Sequence, residues 1–505
     1  MKGAGRLLRH SLVYALASAL QRLTGFVLIP LYTRVLDVRS YGVMEILTTL
    51  SSSILVLTTL GLPSAFNKCY HRDCAGPEDQ RRLAGTLLWL LGGTALVVGA
   101  AGAAVAGPLA RVLLQDAAQA PLVALSLLSA SMYTLAQVPL TILRAREASV
   151  TYSLLSLWQF LIMAATNLWL VAGLGMGLQG ILLGSIVASA AVLLVSTPLM
   201  IRGLAFGFSR PLARALLDFG LPMVPVALSG WIINLSDRWL LDVLADREQV
   251  GLYGLGYRFG MLVEFVLVMP FQMAWPAFYF REASRPDARD LYARVLTWYT
   301  VIGGIITLTV VLAGEVVLRM MSEPAYWEGA SVIPLVALAY FMNGLQYCVA
   351  PGVHLGGRTR SLAWISAAGA ASNLGLNLVA IPRYGMMGAA YSTVLSFALM
   401  LVLTAAVSRS AYGFRFETGR LLKAFSALAG LGVLGLSLRS DSTSALAAMR
   451  GTLLAASSVG AGVWALRMAR QSERSLKSTG EPPVVGSGFA PPEAEPLGQT
   501  VEEGG

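Results

Sequence analysis

Residues 10–46 read HSLVYALASALQRLTGFVLIPLYTRVLDVRSYGVMEI. The stretch is apolar over residues 11–32, passes through a charged hinge at residues 34–39, and becomes apolar again after a Tyr-Gly pair. One charge, Arg22, stands near the middle of the apolar run. An arginine at mid-bilayer depth costs about 3 kcal/mol on insertion scales and usually faces water or a partner. We therefore expect Arg22 to belong to an anion path through a membrane.

The composition of the whole chain is that of a membrane protein. Its 505 residues are 56% hydrophobic and only 13% charged, and the mean hydropathy is +0.67. A soluble domain carries about 25% charged residues. Apolar runs of about 20 residues, long enough to cross a bilayer, recur roughly fourteen times. The sequence predicts an all-α polytopic membrane protein with about 14 transmembrane helices.

The basic residues indicate how these helices are oriented. If the N-terminus is cytoplasmic and the spans alternate, 26 of the 37 Lys and Arg residues fall on the cytoplasmic side and 8 on the other side. Cytoplasmic loops of membrane proteins carry such an excess. The same bias accounts for the net charge of +10, so binding to nucleic acid is not needed to explain it. We predict a bacterial inner-membrane protein with both termini in the cytoplasm.

Three landmarks recur along the chain at nearly one offset, which indicates an internal duplication. The Tyr-Gly pairs at Tyr41 and Tyr253 are 212 residues apart, the basic pairs at Arg144 and Arg358 are 214 apart, and the Gly-rich starts at Gly180 and Gly388 are 208 apart. Six spans return the chain to its starting side, so the repeats would be parallel. Parallel repeats bind substrate between them and alternate access by rocking.

The predicted organisation therefore has two lobes with short additions. In chain order it comprises a basic cytoplasmic N-terminus at 1–10, an N-lobe of six transmembrane helices at 11–201, a cytoplasmic linker at 202–216, a C-lobe of six transmembrane helices at 217–407, two additional transmembrane helices at 408–470, and a cytoplasmic tail at 471–505. The tail is rich in Pro, Gly, Ser and Glu, which predicts disorder.

Three stretches resemble the polysaccharide biosynthesis membrane proteins, the lipid-linked oligosaccharide flippases of the O-antigen type. They are RLTGFVLIPLYTRVLDVRSYGVMEI (22–46), DRWLLDVLADREQVGLYGLGYRFG (237–260) and NLGLNLVAIPRYGMMGAAYSTVLSF (373–397). This family belongs to the superfamily that also holds drug/cation antiporters and lipid II flippases. The resemblance implies a V of two six-helix bundles with two extra C-terminal helices.

The resemblance also implies an activity and partners. The activity is movement of an undecaprenyl-pyrophosphate-linked glycan across the inner membrane for cell-surface polysaccharide, such as lipopolysaccharide or exopolysaccharide. The implied partners are that lipid-linked glycan, membrane lipids, and a polysaccharide polymerase or glycosyltransferases. The identity of the sugar does not carry over from the family.

A diphosphate-bearing substrate needs an electropositive, wet cavity, and the planar fork of arginine binds phosphate oxygens bidentately without losing its charge. The candidate anion contacts are Arg22, Arg238 and Arg258, and the candidate counter-charges or coupling groups are Glu45, Asp237 and Glu264.

Each arginine also has a structural alternative. Arg22 could pair with Glu45 or Glu264, Arg258 with Glu264 or Asp237, and Arg238 could snorkel to the membrane surface.

Two asparagines, Asn373 and Asn377, lie four residues apart and so share one face of their helix. They are candidate contacts for glycan hydroxyls. Asparagines in membrane helices also join neighbouring helices by hydrogen bonds, which is the more common use.

The sequence favours no metal, cofactor or enzyme site. Its three cysteines lack the spacing of a zinc knuckle, and no Walker loop for nucleotide binding is present. We expect no cofactor; an ion gradient and the membrane potential are candidate energy sources, between which the sequence does not decide.

The preferred function is translocation of the lipid-linked oligosaccharide. The alternatives are a cation-coupled multidrug or lipid antiporter of the same superfamily, a membrane glycosyltransferase or polymerase, and a scaffold that acts through its acidic tail.

Overall fold

The structure is a computed structural model, and it describes residues 25–74, 76–203, 205–438, 440 and 442–457. The predicted disordered tail lies outside the described residues. The helices α1 to α16 named below belong to one compact unit that extends to Leu454, and a second unit begins at Ala455.

Every regular element in the described part of the chain is helical. The α-helices are α1 (Ile29–Val35), α2 (Val38–Thr59), α3 (Leu62–Arg72), α4 (Pro77–Leu113), α5 (Ala120–Ala145), α6 (Ser149–Asn167), α7 (Gly177–Gly203), α8 (Arg210–Gly220), α9 (Val224–Leu244), α10 (Arg247–Gly260), α11 (Met269–Arg281), α12 (Ala288–Met321), α13 (Ile333–Val349), α14 (Pro351–Leu355), α15 (Arg360–Tyr412) and α16 (Thr418–Ser437). Three 3₁₀ segments (Ala117–Gln119, Leu221–Met223, Pro324–Val332) and two π-helical segments (Leu168–Gly173, Glu264–Val268) connect or extend them, and residues 443–457 are also helical.

The described residues contain eleven helices that are long and apolar enough to cross a membrane. One of them, α15, has 53 residues and a break at Gly385, whose φ of 54° lies in the left-handed region, so this helix supplies two spans. The prediction of an all-α polytopic membrane protein is confirmed. The count of fourteen stays a prediction, because the first and last predicted spans extend beyond the described residues.

Successive spans run in opposite directions, so their connections lie alternately at two ends of the molecule. We call the end with connections 36–37, 114–119, 245–246 and 322–323 the hinge end, and the end with connections 146–148, 282–287 and 413–417 the linker end. The positive-inside prediction places the linker end in the cytoplasm.

The helices of the two predicted lobes meet closely near the hinge end, where α2 crosses α10. A Cβ on Gly42 would lie 2.1 Å from the carbonyl oxygen of Arg247, and one on Gly251 would lie 2.3 Å from that of Val38. No side chain fits at such distances. These two glycines therefore set how closely α2 and α10 approach. Gly42 belongs to the first Tyr-Gly landmark, and Gly251 lies two residues before the second.

Polar contacts extend this junction across the hinge end. The Tyr326 hydroxyl donates to the carbonyl oxygen of Leu36 at 2.8 Å, and the Tyr326 ring packs edge-on against Tyr41 at 5.4 Å. An exposed ion pair joins Arg34 to Glu323 at 3.8 Å. The two halves of the chain are thus held together at the hinge end.

The predicted linker at 202–216 is partly a helix rather than a loop. Its second half lies in α8, which continues to Gly220 and packs on the start of α3. The alternating Arg and Leu residues of this helix give it one apolar face and one charged face, as expected of a helix at a membrane surface.

Candidate anion-binding site

Four charged residues from three helices form one buried group, which we call the Glu45 cluster. Glu45 lies on α2, Asp237 and Arg238 lie on α9, and Arg258 lies on α10. Glu45 is only 3% exposed, Arg238 is 4% exposed and Asp237 is fully buried. Gly254 makes room for this arrangement, because a Cβ there would lie 2.5 Å from the Glu45 carboxyl carbon.

The Glu45 carboxylate binds two arginines at once. Its Oε2 accepts from Nε of Arg238 at 3.2 Å, and its Oε1 accepts from Nη2 of Arg258 at 2.5 Å. The two arginines belong to the predicted C-lobe and Glu45 belongs to the N-lobe. The carboxylate therefore joins the two halves through a charge pair that is shielded from solvent.

Further contacts satisfy the remaining charges of the cluster. Asp237 accepts from Nη1 of Arg238 at 3.1 Å and from the Tyr253 hydroxyl. The Arg238 guanidinium lies 4.4 Å from the ring centre of Tyr257. A cation over an aromatic face gains roughly 0.5–2 kcal/mol. These contacts explain how a full positive charge is held inside a membrane-spanning helix.

The structure decides between several of the alternatives that the sequence left open. Arg238 does not snorkel to the surface, so that interpretation is wrong; its position near the end of α9 is covered by neighbouring helices. Arg258 pairs with Glu45 rather than with Glu264 or Asp237. Arg22 lies outside the described residues, so its pairing and its role stay predictions.

Glu264 is placed in the π-helical segment that follows α10. Its carboxylate accepts from Nδ2 of Asn343 at 3.5 Å, which joins two elements of the predicted C-lobe. Single-turn π segments in membrane and soluble helices often mark functional sites. The role of Glu264 as a coupling group stays a proposal.

The two candidate glycan contacts are fully buried in this structure. Nδ2 of Asn377 donates to Oδ1 of Asn373 at 3.1 Å, as their spacing predicted. The remaining amide atoms, Nδ2 of Asn373 and Oδ1 of Asn377, are buried without a hydrogen-bond partner among the described residues. Contact of this pair with a glycan stays a prediction.

A cavity of about 310 Å³ lies beside Arg258 among helices of the predicted N-lobe. The Arg258 side chain is 18% exposed, and this is its open side. The guanidinium lies 3.7 Å from the position of a Cβ on Gly25, so the first span passes close to it. The polar lining residues are Tyr32, Thr48, Tyr133, Ser156, Gln159 and Ser185. Arg258 thus faces Glu45 on one side and the cavity on the other.

This arrangement can bind an anion with hydroxyl groups nearby. The guanidinium offers charge-assisted N–H donors, which suit phosphate oxygens. The hydroxyls and the amide around the cavity can donate to and accept from sugar hydroxyls. The sequence prediction missed these lining residues. The i, i+3 spacing of Ser156 and Gln159 was the available signal, since it places both on one face of α6.

Comparison with known proteins agrees with the fold and identifies the family. The family model "Polysaccharide biosynthesis protein" matches residues 7–279, more than half of the chain. A search of curated proteins finds no significant match.

Among solved structures, "Lipid II flippase MurJ, inward closed conformation" is 13% identical with a TM-score of 0.70, covering 91% of this chain and 99% of that one. An inward-facing multidrug resistance MATE family transporter of the MOP superfamily is 12% identical with a TM-score of 0.64, covering 78% of this chain and 94% of that one. An outward-facing MATE family transporter is 14% identical with a TM-score of 0.52, covering 80% and 95%.

These likenesses show the fold, and the family match shows the kinship. The chain belongs to the polysaccharide biosynthesis protein family.

Proposed function

We propose that this protein moves an undecaprenyl-pyrophosphate-linked oligosaccharide across the bacterial inner membrane for cell-surface polysaccharide synthesis. The observation that carries the proposal is the position of Arg258, a permanent cation held inside the membrane-spanning bundle and open to a cavity whose largely apolar lining includes several hydroxyl groups and the amide of Gln159. A substrate with a diphosphate and sugars matches both features. An organic cation, the substrate type of the alternative antiporter, would find no partner in the Arg258 guanidinium.

The chemistry of the step is binding and release, since no covalent bond changes. The lipid tail stays in the bilayer while the diphosphate head enters the cavity and meets the Arg258 fork. Hydroxyl and amide groups such as those of Thr48, Ser156 and Gln159 contact the first sugars. The polar groups of the cavity replace the water that the head group loses when it leaves the aqueous phase.

Glu45 gives the site a mechanism for coupling binding to movement. When the hinge end is closed, the Glu45 carboxylate forms an ion pair with Arg258. A substrate diphosphate is also an anion, so it competes with Glu45 for the same guanidinium. Displacement of Glu45 removes one of the two charge pairs that hold α2 to the C-terminal half. The hinge end then opens, and the release of substrate lets Glu45 bind Arg258 again.

This cycle is a population shift between two states. A ligand shifts such an equilibrium only by its difference in affinity for the two states. Here the difference arises because the open state offers Arg258 to the substrate alone, whereas the closed state already has a carboxylate there. The polymerase or glycosyltransferases of the pathway are proposed partners that supply or consume the glycan.

The proposal is tested by replacing Arg258 in cells that depend on this protein for surface polysaccharide. Arg258→Ala should abolish the surface glycan, and Arg258→Lys should keep part of it, because lysine retains the charge but not the fork. Arg111→Ala, which removes an exposed arginine from the hinge end of α4, is the matched control and should have no effect. Protein in the membrane is quantified for each variant. Normal surface glycan with Arg258→Ala would overturn the assignment, and export of organic cations with normal glycan would favour the antiporter.

A further inference from the structure

The connection between the two predicted lobes is fastened to the first of them at the linker end. Residues 205–209 have no regular secondary structure and lie beside α4, and α8 follows them. We call residues 205–220 the strap. Its contacts decide which parts of the molecule can move against each other.

Three hydrogen bonds join the first part of the strap to α4. They run from the amide of Ala205 to the carbonyl oxygen of Arg81 at 3.2 Å, from the indole N–H of Trp89 to the carbonyl oxygen of Phe206 at 2.7 Å, and from the amide of Ser209 to Oγ1 of Thr86 at 3.3 Å. Backbone without regular structure needs partners of this kind wherever it is shielded from water. Here α4 supplies them from its backbone and from two side chains.

The surface of α4 also has a gap that the strap fills. A Cβ on Gly85 would lie 1.8 Å from the carbonyl oxygen of Ala205 and 3.3 Å from that of Gly207. No side chain fits at the shorter distance. Glycine at position 85 therefore lets the backbone of the strap lie directly on the helix.

The end of the strap is fastened to the junction of α2 and α3. A Cβ on Gly220 would lie 2.4 Å from the carbonyl oxygen of Leu60, and one on Gly61 would lie 2.4 Å from that of Gly220. Leu216 of α8 is fully buried among apolar side chains of α3, α4 and α5. These partners of the strap all belong to the predicted N-lobe.

The packing changes directly after Gly220. Leu221 and Met223 are 49% and 40% exposed. Pro222 and Pro225 have no N–H, so two helical hydrogen bonds are missing where α8 passes into α9. Conformational hinges are commonly a few residues at the ends of regular elements.

We propose that the strap is a fixed part of the N-lobe and that the two lobes pivot about residues 221–225 when access alternates. The helix α9 begins in this segment, packs against α15 and carries Arg238 of the Glu45 cluster. Opening of the hinge end therefore changes the angle between α8 and α9 and leaves the contacts of the strap intact. The alternation of access rests on the proposed function, whereas the fastening of the strap does not.

Hydrogen exchange of the purified full-length protein, resolved to single residues by mass spectrometry, tests the fastening. The amides of Ala205 and Ser209 should exchange at least about a hundredfold more slowly than in an unstructured chain. Gly85→Ala should speed their exchange at least about tenfold, because its Cβ displaces the strap. The matched control is Gly93→Ala on the same helix, where a Cβ meets open space, and it should leave the rates unchanged.

Exchange of these two amides in the unchanged protein at the rate of an unstructured chain would overturn the proposal. Equal rates in Gly85→Ala and Gly93→Ala would overturn it as well. The measurement on the unchanged protein keeps the test decisive if Gly85→Ala does not fold.

A disulfide tests the position of the pivot. Thr86→Cys and Ser209→Cys are introduced together into a protein whose native cysteines have been replaced, and surface glycan is measured in cells after oxidation and after reduction. The protein without cysteines, given the same oxidant, is the control. We expect the same surface glycan in both states of the paired variant, because the strap stays on α4 and the movement takes place at residues 221–225.

Loss of surface glycan only in the oxidised paired variant would show that the strap moves against α4, and it would overturn the proposal. Failure of the proposed function gives a different result, since the unchanged protein would then support no surface glycan. The hydrogen exchange rates alone would in that case decide whether the strap is fixed.

Discussion

The contact of Glu45 with two arginines predicts that Glu45→Gln opens the hinge end. In the closed structure this side chain holds Arg238 at 3.2 Å and Arg258 at 2.5 Å across the junction of the two halves. The glutamine has nearly the same shape, so the change removes the charge and leaves the packing around Gly254. Only the closed state is penalised, because an open hinge end lets Arg258 reach water or substrate.

The size of the effect follows from the burial of the group. Breaking a buried ion pair by removing one partner costs about 3–5 kcal/mol, since it leaves an uncompensated charge. Arg238 keeps Asp237 as a partner at 3.1 Å, so the lower part of that range applies. About 3 kcal/mol corresponds to roughly a hundredfold change in the ratio of closed to open molecules, at about 1.36 kcal/mol for each factor of ten.

Electron spin resonance distance measurements can read this change directly. Spin labels at Ala118 and Glu248, both exposed at the hinge end and in different halves, report the separation in a protein whose native cysteines have been replaced. We expect a single short distance in the unchanged protein and a dominant longer distance in Glu45→Gln.

A matched control removes a charge of the same kind from the same junction. Glu323→Gln breaks the exposed pair with Arg34, whose side chains are 52% and 69% exposed, and such surface pairs contribute about 0–1 kcal/mol. Its distance distribution should stay close to the original. If Glu45→Gln folds and keeps the short distance, the reasoning about the Glu45 cluster is wrong.

Three further perturbations test separate parts of the structure. Gly251→Ala should separate α10 from α2 and destabilise the protein by about 1–3 kcal/mol in thermal unfolding, as overpacking does. The control Gly93→Ala, where a Cβ meets open space, should be neutral or stabilising. Equal effects of the two changes would contradict the close approach of the helices. Gln159→Ala, at the cavity beside Arg258, should lower surface glycan severalfold without loss of protein, because one hydrogen bond to the substrate contributes about 1 kcal/mol. Unchanged export would show that Gln159 does not belong to the site. Hydrogen bonds from Ser40 lower the pKa of Asp37, the N-cap of α2. The cap therefore stabilises α2 fully at pH values above the ordinary pKa of the carboxyl, and this stabilisation is lost as the pH falls through the lowered pKa. Hydrogen exchange in the first turn of α2 should become faster at acid pH, and Asp37→Ala should show the fast exchange at all pH values.

The fold class followed from the sequence because composition and apolar run length act locally. The charge content alone excludes a soluble core, and each run of about 20 apolar residues defines a span without knowledge of its neighbours. The break at Gly385 is an example. The sequence predicts two spans there, and in the structure the non-helical backbone of Gly385 divides α15 into two helical parts.

The site was predicted in part, because the cost of an intramembrane charge identifies residues but not their partners. Arg238, Arg258 and Glu45 were singled out for their charge, yet Glu45 lies 193 and 213 residues away from its two arginines. No local spacing connects residues that far apart. The interpretation of Arg238 as a snorkelling side chain failed for the same reason, since the helices that cover it come from elsewhere in the chain.

The ion pair between Glu315 and Arg450, at 2.8 Å, was missed for a different reason. Arg319 and Arg450 were counted among the charges of the outer connections, where solvent exposure is the usual condition of an arginine. The structure buries Arg450 against α12 and pairs it with a carboxylate 135 residues away in the sequence. Polar residues at the ends of spans therefore need tertiary contacts before they can be assigned a role.

The central claim is that Arg258 carries an anionic, lipid-linked glycan through the bundle. The most direct measurement places the purified protein in vesicles with a fluorescent undecaprenyl-pyrophosphate oligosaccharide and follows the rate at which the glycan becomes accessible to a glycosidase on the other side. We predict rapid translocation by the unchanged protein and translocation no faster than in protein-free vesicles for Arg258→Ala. Equal rates for the two proteins, or no translocation by the unchanged protein, would contradict the account.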